Sequence, residues 1–85
     1  MNISQQAADG LYDRIVEADS RYGDFSSTHE ALGVFLEEWV ELQGAIQQND
    51  QTAVKHECLD LAAALIRLHD QIESSKEVRA RSFTK

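Results

Sequence analysis

The chain contains no proline among its 85 residues, and it has only four glycines. Proline and glycine supply most of the tight turns that connect β-strands, whereas long helices need few of either. Alanine, leucine, glutamate and glutamine, which are all good helix formers, dominate the middle of the chain. The composition therefore predicts an all-α fold, and the length allows at most one domain, residues 1–85.

Apolar residues recur at spacings of three and four, which is the period of an amphipathic helix. They predict helices over about residues 4–21, 28–48 and 51–73. Beyond them, residues 76–85 form a basic tail that is either flexible or a short final helix. A chain of this size buries only a modest fraction of its surface, which favours association with further copies.

Two short segments separate these helices. Ser27 and Glu30 have the S-x-x-E spacing of a capping box and mark the start of the second helix. Asn49 and Asp50 end it, and either residue can cap the third. Because this break is so short, the second and third helices should fold back as an antiparallel hairpin behind an N-terminal helix.

The net charge of the chain is −7 with histidine neutral. A strongly acidic protein does not bind a nucleic acid polymer through a basic surface, so cations would have to mediate contact with any phosphorylated compound. The simpler interpretation is that the charge keeps the protein in solution.

Cellular location is predicted from the single cysteine, Cys58, and from the lack of a long apolar segment. One cysteine allows no internal disulfide, and no signal-peptide pattern is visible at the start. The longest apolar stretch, residues 59–68, is too short to cross a bilayer and carries two charges. We expect a cytoplasmic protein without a membrane partner.

Acidic residues of the second helix lie beside its apolar stripe. At about 100° per residue, Glu38 projects about 60° from Phe35, and Glu41 lies further round on the same side. Ala31 and Ala45 share that side, so small residues leave room there. The predicted stripe consists of Leu32, Phe35, Trp39, Leu42 and Ile46.

The third helix repeats this arrangement. Glu57 projects about 40° from Leu61 and Asp60 about 100°, both on one side of the stripe. Ala53 and Ala64 are the small neighbours. The predicted stripe consists of Val54, Leu61, Leu65, Leu68 and Ile72, with Cys58 beside it as a small core residue.

Four carboxylates gathered at the border of a core would repel one another and would be costly to desolvate. A positive partner should compensate, and oxygen ligands suit hard cations such as Mg²⁺ or Mn²⁺. The competing interpretation is that acids spaced three or four apart on helices are simply solvated surface. Two pairs in matched positions on adjacent helices favour the metal site.

The acids also form a sequence motif. Glu37-Glu38-Trp39-Val40-Glu41 is followed by fifteen residues and then by Glu57-Cys58-Leu59-Asp60. This E-E-x-x-E … E-x-x-D pattern resembles the MazG-like nucleotide pyrophosphohydrolases of the all-α NTP pyrophosphatase superfamily, which also holds the dimeric dUTPases. The resemblance covers residues 28–70, about half the chain.

The resemblance implies hydrolysis of a nucleoside triphosphate, a deoxynucleotide above all, to the monophosphate and pyrophosphate. It implies Mg²⁺, with Mn²⁺ as a substitute, and catalytic roles for Glu37 and Glu38, with Glu37 orienting the attacking water. It also implies a homodimer or homotetramer of the four-helix-bundle type. The implied metal ligands are Glu38, Glu41, Glu57 and Asp60.

Substrate contacts are less well defined by the sequence. Lys55 is the cation nearest the motif, although its predicted direction is away from Asp60, and Arg67 and the tail offer further cations. Trp39 can stack on a base, but packing in the core or a dimer is the more common role of such a residue. His29, His56 and His69 are expected at the surface.

The sequence leaves two other functions open. The chain could be a non-enzymatic acidic helical module that binds or regulates a partner. It could also be a degenerate relative that binds nucleotides without hydrolysing them.

Overall fold

A computed structural model describes residues 2–78, which form three helices and no strand. The predicted all-α fold is confirmed for this part of the chain. The helices are α1 (Gln5–Tyr22), α2 (Thr28–Gln47) and α3 (Gln51–Val78). None of these described helices combines the length and the apolar character that crossing a membrane requires.

The third helix is longer than predicted. We expected it to end near residue 73, before Ser74 and Ser75, but α3 continues through both serines to Val78. Serine is only mildly unfavourable inside a helix, so two serines do not terminate one that is otherwise stabilised. Residues 76–78 of the predicted tail therefore belong to α3, and residues 79–85 lie outside the described part.

Side chains cap the starts of α2 and α3. The Ser27 hydroxyl accepts from the Glu30 backbone N–H at 3.0 Å, as the capping-box spacing predicts. The Glu30 carboxylate accepts from the N–H of Ser26 at 2.7 Å, one residue earlier than in a standard box. The Asp50 carboxylate accepts from the N–H of Ala53 at 3.1 Å and so caps α3.

Positive φ angles end the first two helices. Gly23 has a φ of 71° after α1, and its N–H donates to the carbonyl of Asp19 at 3.0 Å. Asn49 has a φ of 56° after α2, and its N–H donates to the carbonyl of Ile46 at 3.0 Å. Glycine and asparagine tolerate this left-handed conformation better than other residues, which is why the chain reverses at these points.

The long helix α3 is the centre of the fold. At about 1.5 Å per residue it extends for about 42 Å, most of the 47 Å long axis of the molecule. Both α1 and α2 pack against α3, but no Cα atom of α1 lies within 8 Å of one in α2. The two shorter helices therefore lie on different sides of α3 and leave an open cleft between them.

Small residues form most of the buried core. Alanine at helix contacts lets two backbones approach closely, so the α2–α3 contact needs few large side chains. Glu38 lies seven residues from Ala31 and from Ala45, so it shares the buried side of α2 instead of the border of that side. The buried residues are Phe25, Ala31, Leu42, Ala45, Ala63 and Ala64.

Several residues predicted in the core are instead exposed. Cys58, expected to be a small core residue, lies at the surface. The buried side of each helix is rotated toward its alanines and acids, which leaves the larger apolar residues uncovered. These are Leu32, Trp39, Ile46, Leu65 and Ile72, which are 40–52% exposed.

The uncovered apolar residues form one surface, which we call the outer face. In α2, Trp39 and Val34 project on opposite sides of the buried alanines, and Val34 lines the cleft. In α3, Leu65 and Arg67 project about 80° to either side of Glu57, and Arg67 lines the cleft. The outer face therefore lies opposite the cleft. It consists of Leu32, Leu36, Trp39 and Ile46 of α2 and Cys58, Leu65 and Ile72 of α3.

Candidate metal centre

Three of the predicted acids converge between α2 and α3. Glu38 and Glu41 are one helical turn apart on α2, and Glu57 faces them from the antiparallel α3. One carboxylate oxygen of each residue lies within 4.8 Å of those of the other two. Oxygens that share an octahedral Mg²⁺ are about 3–4 Å apart, so this acid cluster needs only a small adjustment to hold one ion.

One carboxylate oxygen of Glu57, Oε1, is buried without a hydrogen-bond partner among the described residues. A buried acceptor left unpaired costs about 1–3 kcal/mol, and more when it is charged. A cation between the carboxylates would remove this deficit, so the orphaned oxygen agrees with the chemistry of a metal site.

The acids of the cluster perturb one another. Burial is the largest cause that raises the pKa of Glu38 to about 7, followed by the charges of Glu41, Asp60, Glu57 and Glu37. Burial also raises the pKa of Glu57, followed by the nearby carboxyl groups of Glu41 and Asp60. Burial and like charges both disfavour the ionised form, and a cation among these carboxylates would offset both effects.

Asp60, the fourth predicted ligand, adjoins the acid cluster but has a different partner. The Nε of Arg14 donates to its Oδ1 at 2.7 Å, and both side chains are partly exposed. Asp60 lines the cleft together with Glu38, but it is not one of the three acids whose oxygens lie within 4.8 Å of one another. Its charge contributes to the raised pKa of Glu38 and of Glu57. Arg14 was not identified from the sequence, because no local pattern shows which side of α1 packs against α3.

The cleft between α1 and α2 has a volume of about 680 Å³, and Glu38 is the member of the acid cluster that lines it, while Glu41 and Glu57 lie behind this edge. Glu37, Glu38 and Asp60 line it on the side of the cluster. The wall formed by α1 contributes Arg14 and Arg21. The cleft therefore brings acids and arginines from all three helices around one space.

Arg67 also lines the cleft, but its hydrogen bonds are directed to the protein. Its Nε donates to Asp19 at 2.8 Å, its Nη2 donates to the carbonyl of Gly23, and its guanidinium lies 4.8 Å from the ring centre of Phe25. The side chain is only 7% exposed. The structure gives this candidate phosphate contact a role in holding α1 and the following loop.

The two predicted substrate contacts lie away from the cleft. Lys55 is exposed on α3, and Trp39 is 47% exposed on the outer face; neither is part of the cleft lining. The three histidines are exposed, as expected. The cleft instead has aromatic side chains from the end of α1 and the next loop, Tyr22 and Phe25. Of the two aromatic residues that the sequence suggested as minor candidates for a base pocket, Tyr12 and Phe25, only Phe25 is in this lining, and Tyr22 was not among the candidates.

Comparison of the chain with protein-family models, curated proteins and solved structures finds no match. Carboxylates that gather around the buried, unpaired oxygen of Glu57 can bind a hard divalent cation. The adjoining cleft is large enough for a small-molecule ligand.

Proposed function

We propose that this chain is an Mg²⁺-dependent nucleoside triphosphate pyrophosphohydrolase that acts on a deoxynucleotide. The observation that carries the proposal is the convergence of Glu38, Glu41 and Glu57 within 4.8 Å at the edge of a 680 Å³ cleft. The E-E-x-x-E … E-x-x-D motif, which resembles MazG-like enzymes, supplies the reaction class.

In this proposal Glu38, Glu41, Glu57 and Asp60 hold the magnesium. The bound ion supplies neutralising charge for the phosphates and an acidified water. Glu37 lines the cleft next to this group with an exposed side chain, so its carboxylate can orient a water and accept its proton. Cleavage between the α- and β-phosphates gives the monophosphate and pyrophosphate.

We also propose that two copies associate through their outer faces into a four-helix bundle. The supporting observation is an apolar surface that includes a tryptophan and several aliphatic residues that are roughly half exposed. Exposed apolar patches of this kind are typical of interfaces. Because the outer face lies opposite the cleft, such a dimer leaves both clefts open; a homotetramer would require a second contact.

The direct test is a panel of ribo- and deoxynucleoside triphosphates, including dUTP, incubated with the protein and Mg²⁺. Pyrophosphate and the nucleoside monophosphate should appear in equal amounts for at least one substrate, and EDTA should abolish both. Release of inorganic phosphate and a diphosphate would contradict the proposed bond cleavage. No release from any substrate by folded protein would count against an enzyme.

A second candidate is a non-enzymatic helical module that binds a partner through the outer face. The size of this uncovered apolar face favours it, because the face is suited to any apolar helical partner. Such a module has no need for a metal, so failure of Mg²⁺ or Mn²⁺ to bind would favour it. Binding of a nonhydrolysable nucleotide analogue without turnover would instead indicate a degenerate nucleotide-binding relative.

A further inference from the structure

The guanidinium of Arg14 is held in place on one edge and unused on another. Its Nε donates to Asp60 at 2.7 Å and its Nη1 donates to the carbonyl of Gly10 at 3.1 Å. Within residues 2–78, no hydrogen bond uses its Nη2. Guanidinium carries five N–H donors, so donors remain for a ligand in the cleft that Arg14 lines.

Gly10 is what allows this placement. A Cβ atom at this position would lie 2.9 Å from Cδ1 of Leu59 and 3.3 Å from Nη1 of Arg14. The missing side chain lets α1 approach α3 closely and lets the guanidinium reach the Gly10 carbonyl. The position of Arg14 therefore results from two contacts with the protein that leave one side of its planar group available.

The charges around the cleft limit what Arg14 can bind. The lining contains six acids (Glu17, Asp24, Glu30, Glu37, Glu38 and Asp60) and three arginines, of which Arg67 is paired with Asp19. An anion alone would be repelled by this excess of negative charge. An anion that arrives with a cation on the acid cluster would meet Arg14 directly beside the metal site, because Arg14 touches Asp60.

A polyphosphate chain has the required chemistry. It carries negative oxygens along its length, so some can bind the metal while a neighbouring one accepts hydrogen bonds from arginine. The planar guanidinium matches phosphate geometry better than an ammonium group does. Arg21, seven residues further along α1, is 61% exposed; it forms a 3.6 Å ion pair with Glu17 and lies over the ring of Tyr22, so it is less fixed in position than Arg14.

From this geometry we propose that Arg14 is the protein's own phosphate-binding residue, contacting an oxygen of the polyphosphate chain next to the metal-bound one. This inference rests on the proposed function and adds the residue that receives the substrate's phosphates. It also assigns to Arg14 the contact that Lys55 was expected to make.

The test measures binding of inorganic tripolyphosphate in the presence of Mg²⁺ by titration calorimetry, together with binding of Mn²⁺ alone. The proteins are the wild type, Arg14→Gln, Arg14→Lys and Lys55→Gln, which removes the same charge from a position outside the cleft. We expect Arg14→Gln to raise the Kd for tripolyphosphate about 10- to 100-fold, the usual effect of losing a charged hydrogen bond. Its Kd for Mn²⁺ should stay the same or fall, because Asp60 is released.

The two binding measurements distinguish failure of this inference from failure of the proposed function. Wild-type protein that binds Mn²⁺ but not tripolyphosphate overturns the role of Arg14 and leaves the metal site standing; binding of neither overturns both. Unchanged tripolyphosphate affinity in Arg14→Gln, or an equal loss in Lys55→Gln, also overturns the role of Arg14. A parallel loss of Mn²⁺ affinity does the same, because Arg14 would then act only by supporting the metal site.

Arg14→Lys keeps the test decisive if Arg14→Gln does not fold. Arg14→Lys keeps a cation beside Asp60 but loses the second set of donors, so we expect a smaller rise in Kd than in Arg14→Gln. If Arg14→Gln does not fold, wild-type affinity in Arg14→Lys overturns the proposal, and a raised Kd with unchanged Mn²⁺ binding supports it.

Discussion

Arg67 and Asp19 join α3 to α1 by a 2.8 Å hydrogen bond, although they are 48 positions apart in the sequence. The same guanidinium donates to the carbonyl of Gly23 and lies over the ring of Phe25. Helix α1 has no fully buried residue. Polar contacts such as this one therefore help to hold α1 in place beside its half-buried apolar residues.

Replacing Arg67 should destabilise the fold. We expect Arg67→Met to lower the free energy of unfolding by about 2–3 kcal/mol, because the variant loses its hydrogen bonds to Asp19 and to the Gly23 carbonyl and its contact with the Phe25 ring. Asp19→Asn should cost under about 1 kcal/mol, because Asp19 is 57% exposed. Urea unfolding measures both. Equal effects of the two variants would mean that the ion pair alone, without the Gly23 and Phe25 contacts, accounts for the role of Arg67.

Glu38→Gln should separate function from stability. We expect Mg²⁺-dependent pyrophosphate release to fall at least about 100-fold, because a metal ligand is lost. The metal-free variant should melt at a higher temperature than the wild type, because one charge is removed from a repelling group. Glu73→Gln, an exposed acid of α3 outside the cleft, is the matched control. Activity that survives in Glu38→Gln would remove this residue from the site.

Divalent metal should stabilise the folded chain. A ligand present at ten times its Kd adds about 1.4 kcal/mol, which raises Tm by roughly 6–11 °C for a domain of this size. Melting curves with Mg²⁺ or Mn²⁺, compared with sodium chloride at equal ionic strength, measure the effect. An unchanged Tm at millimolar metal would favour the partner-binding module.

The acid cluster should make the folded chain less stable as pH rises. A carboxylate whose pKa is lowered by folding has the opposite effect. The pKa of Glu38 is raised from 4.5 to about 7 in the folded state, so the folded chain binds more protons than the unfolded chain between these values. The free energy of unfolding should therefore fall as pH rises from about 4.5 through 7. The raised pKa of Glu57 acts in the same direction.

Urea unfolding in EDTA at several pH values measures this dependence. Saturating Mg²⁺ should reduce or reverse the loss, because metal binds the deprotonated acids. Glu38→Gln should flatten the curve, while Glu73→Gln should leave it unchanged. A wild-type curve that rises through this window would mean that the acids are better solvated than the structure indicates.

The outer face should control association. Leu65→Lys places a charge in its centre and should shift the protein from dimer to monomer in sedimentation experiments, because an unpaired charge is costly in an apolar interface. Val16→Lys makes a comparable change at a half-exposed position of α1, outside this face, and should not change the assembly. A wild-type monomer at high concentration would remove the proposal of a dimer.

The sequence predicted the helices well because their signals are local. The Ser27–Glu30 spacing, the break at Asn49 and the apolar period all act within a few residues. The rotation of each helix was harder to predict. A projection showed Leu65 and Cys58 on an apolar stripe, but alanines such as Ala64 allow the closest approach and form the actual contact.

Part of the candidate site could also be predicted from local signals, but the prediction missed Arg14. Glu38, Glu41 and Glu57 could be placed because the hairpin forces antiparallel helices together. Arg14 could not be placed, because its partner Asp60 is 46 positions away in the sequence. Their contact depends on how α1 packs against α3. The Gly10 contact that permits this packing has no signature in a single sequence.

The lack of any fully buried residue in α1 has a consequence for local unfolding. An element with little buried apolar area opens at a lower free energy than the rest of a fold, so amide protons of α1 should exchange with solvent before those of α2 and α3. The cluster of Glu38, Glu41 and Glu57 is built only on the α2–α3 hairpin. The cleft can therefore lose one wall in a transient opening while the three acids remain assembled.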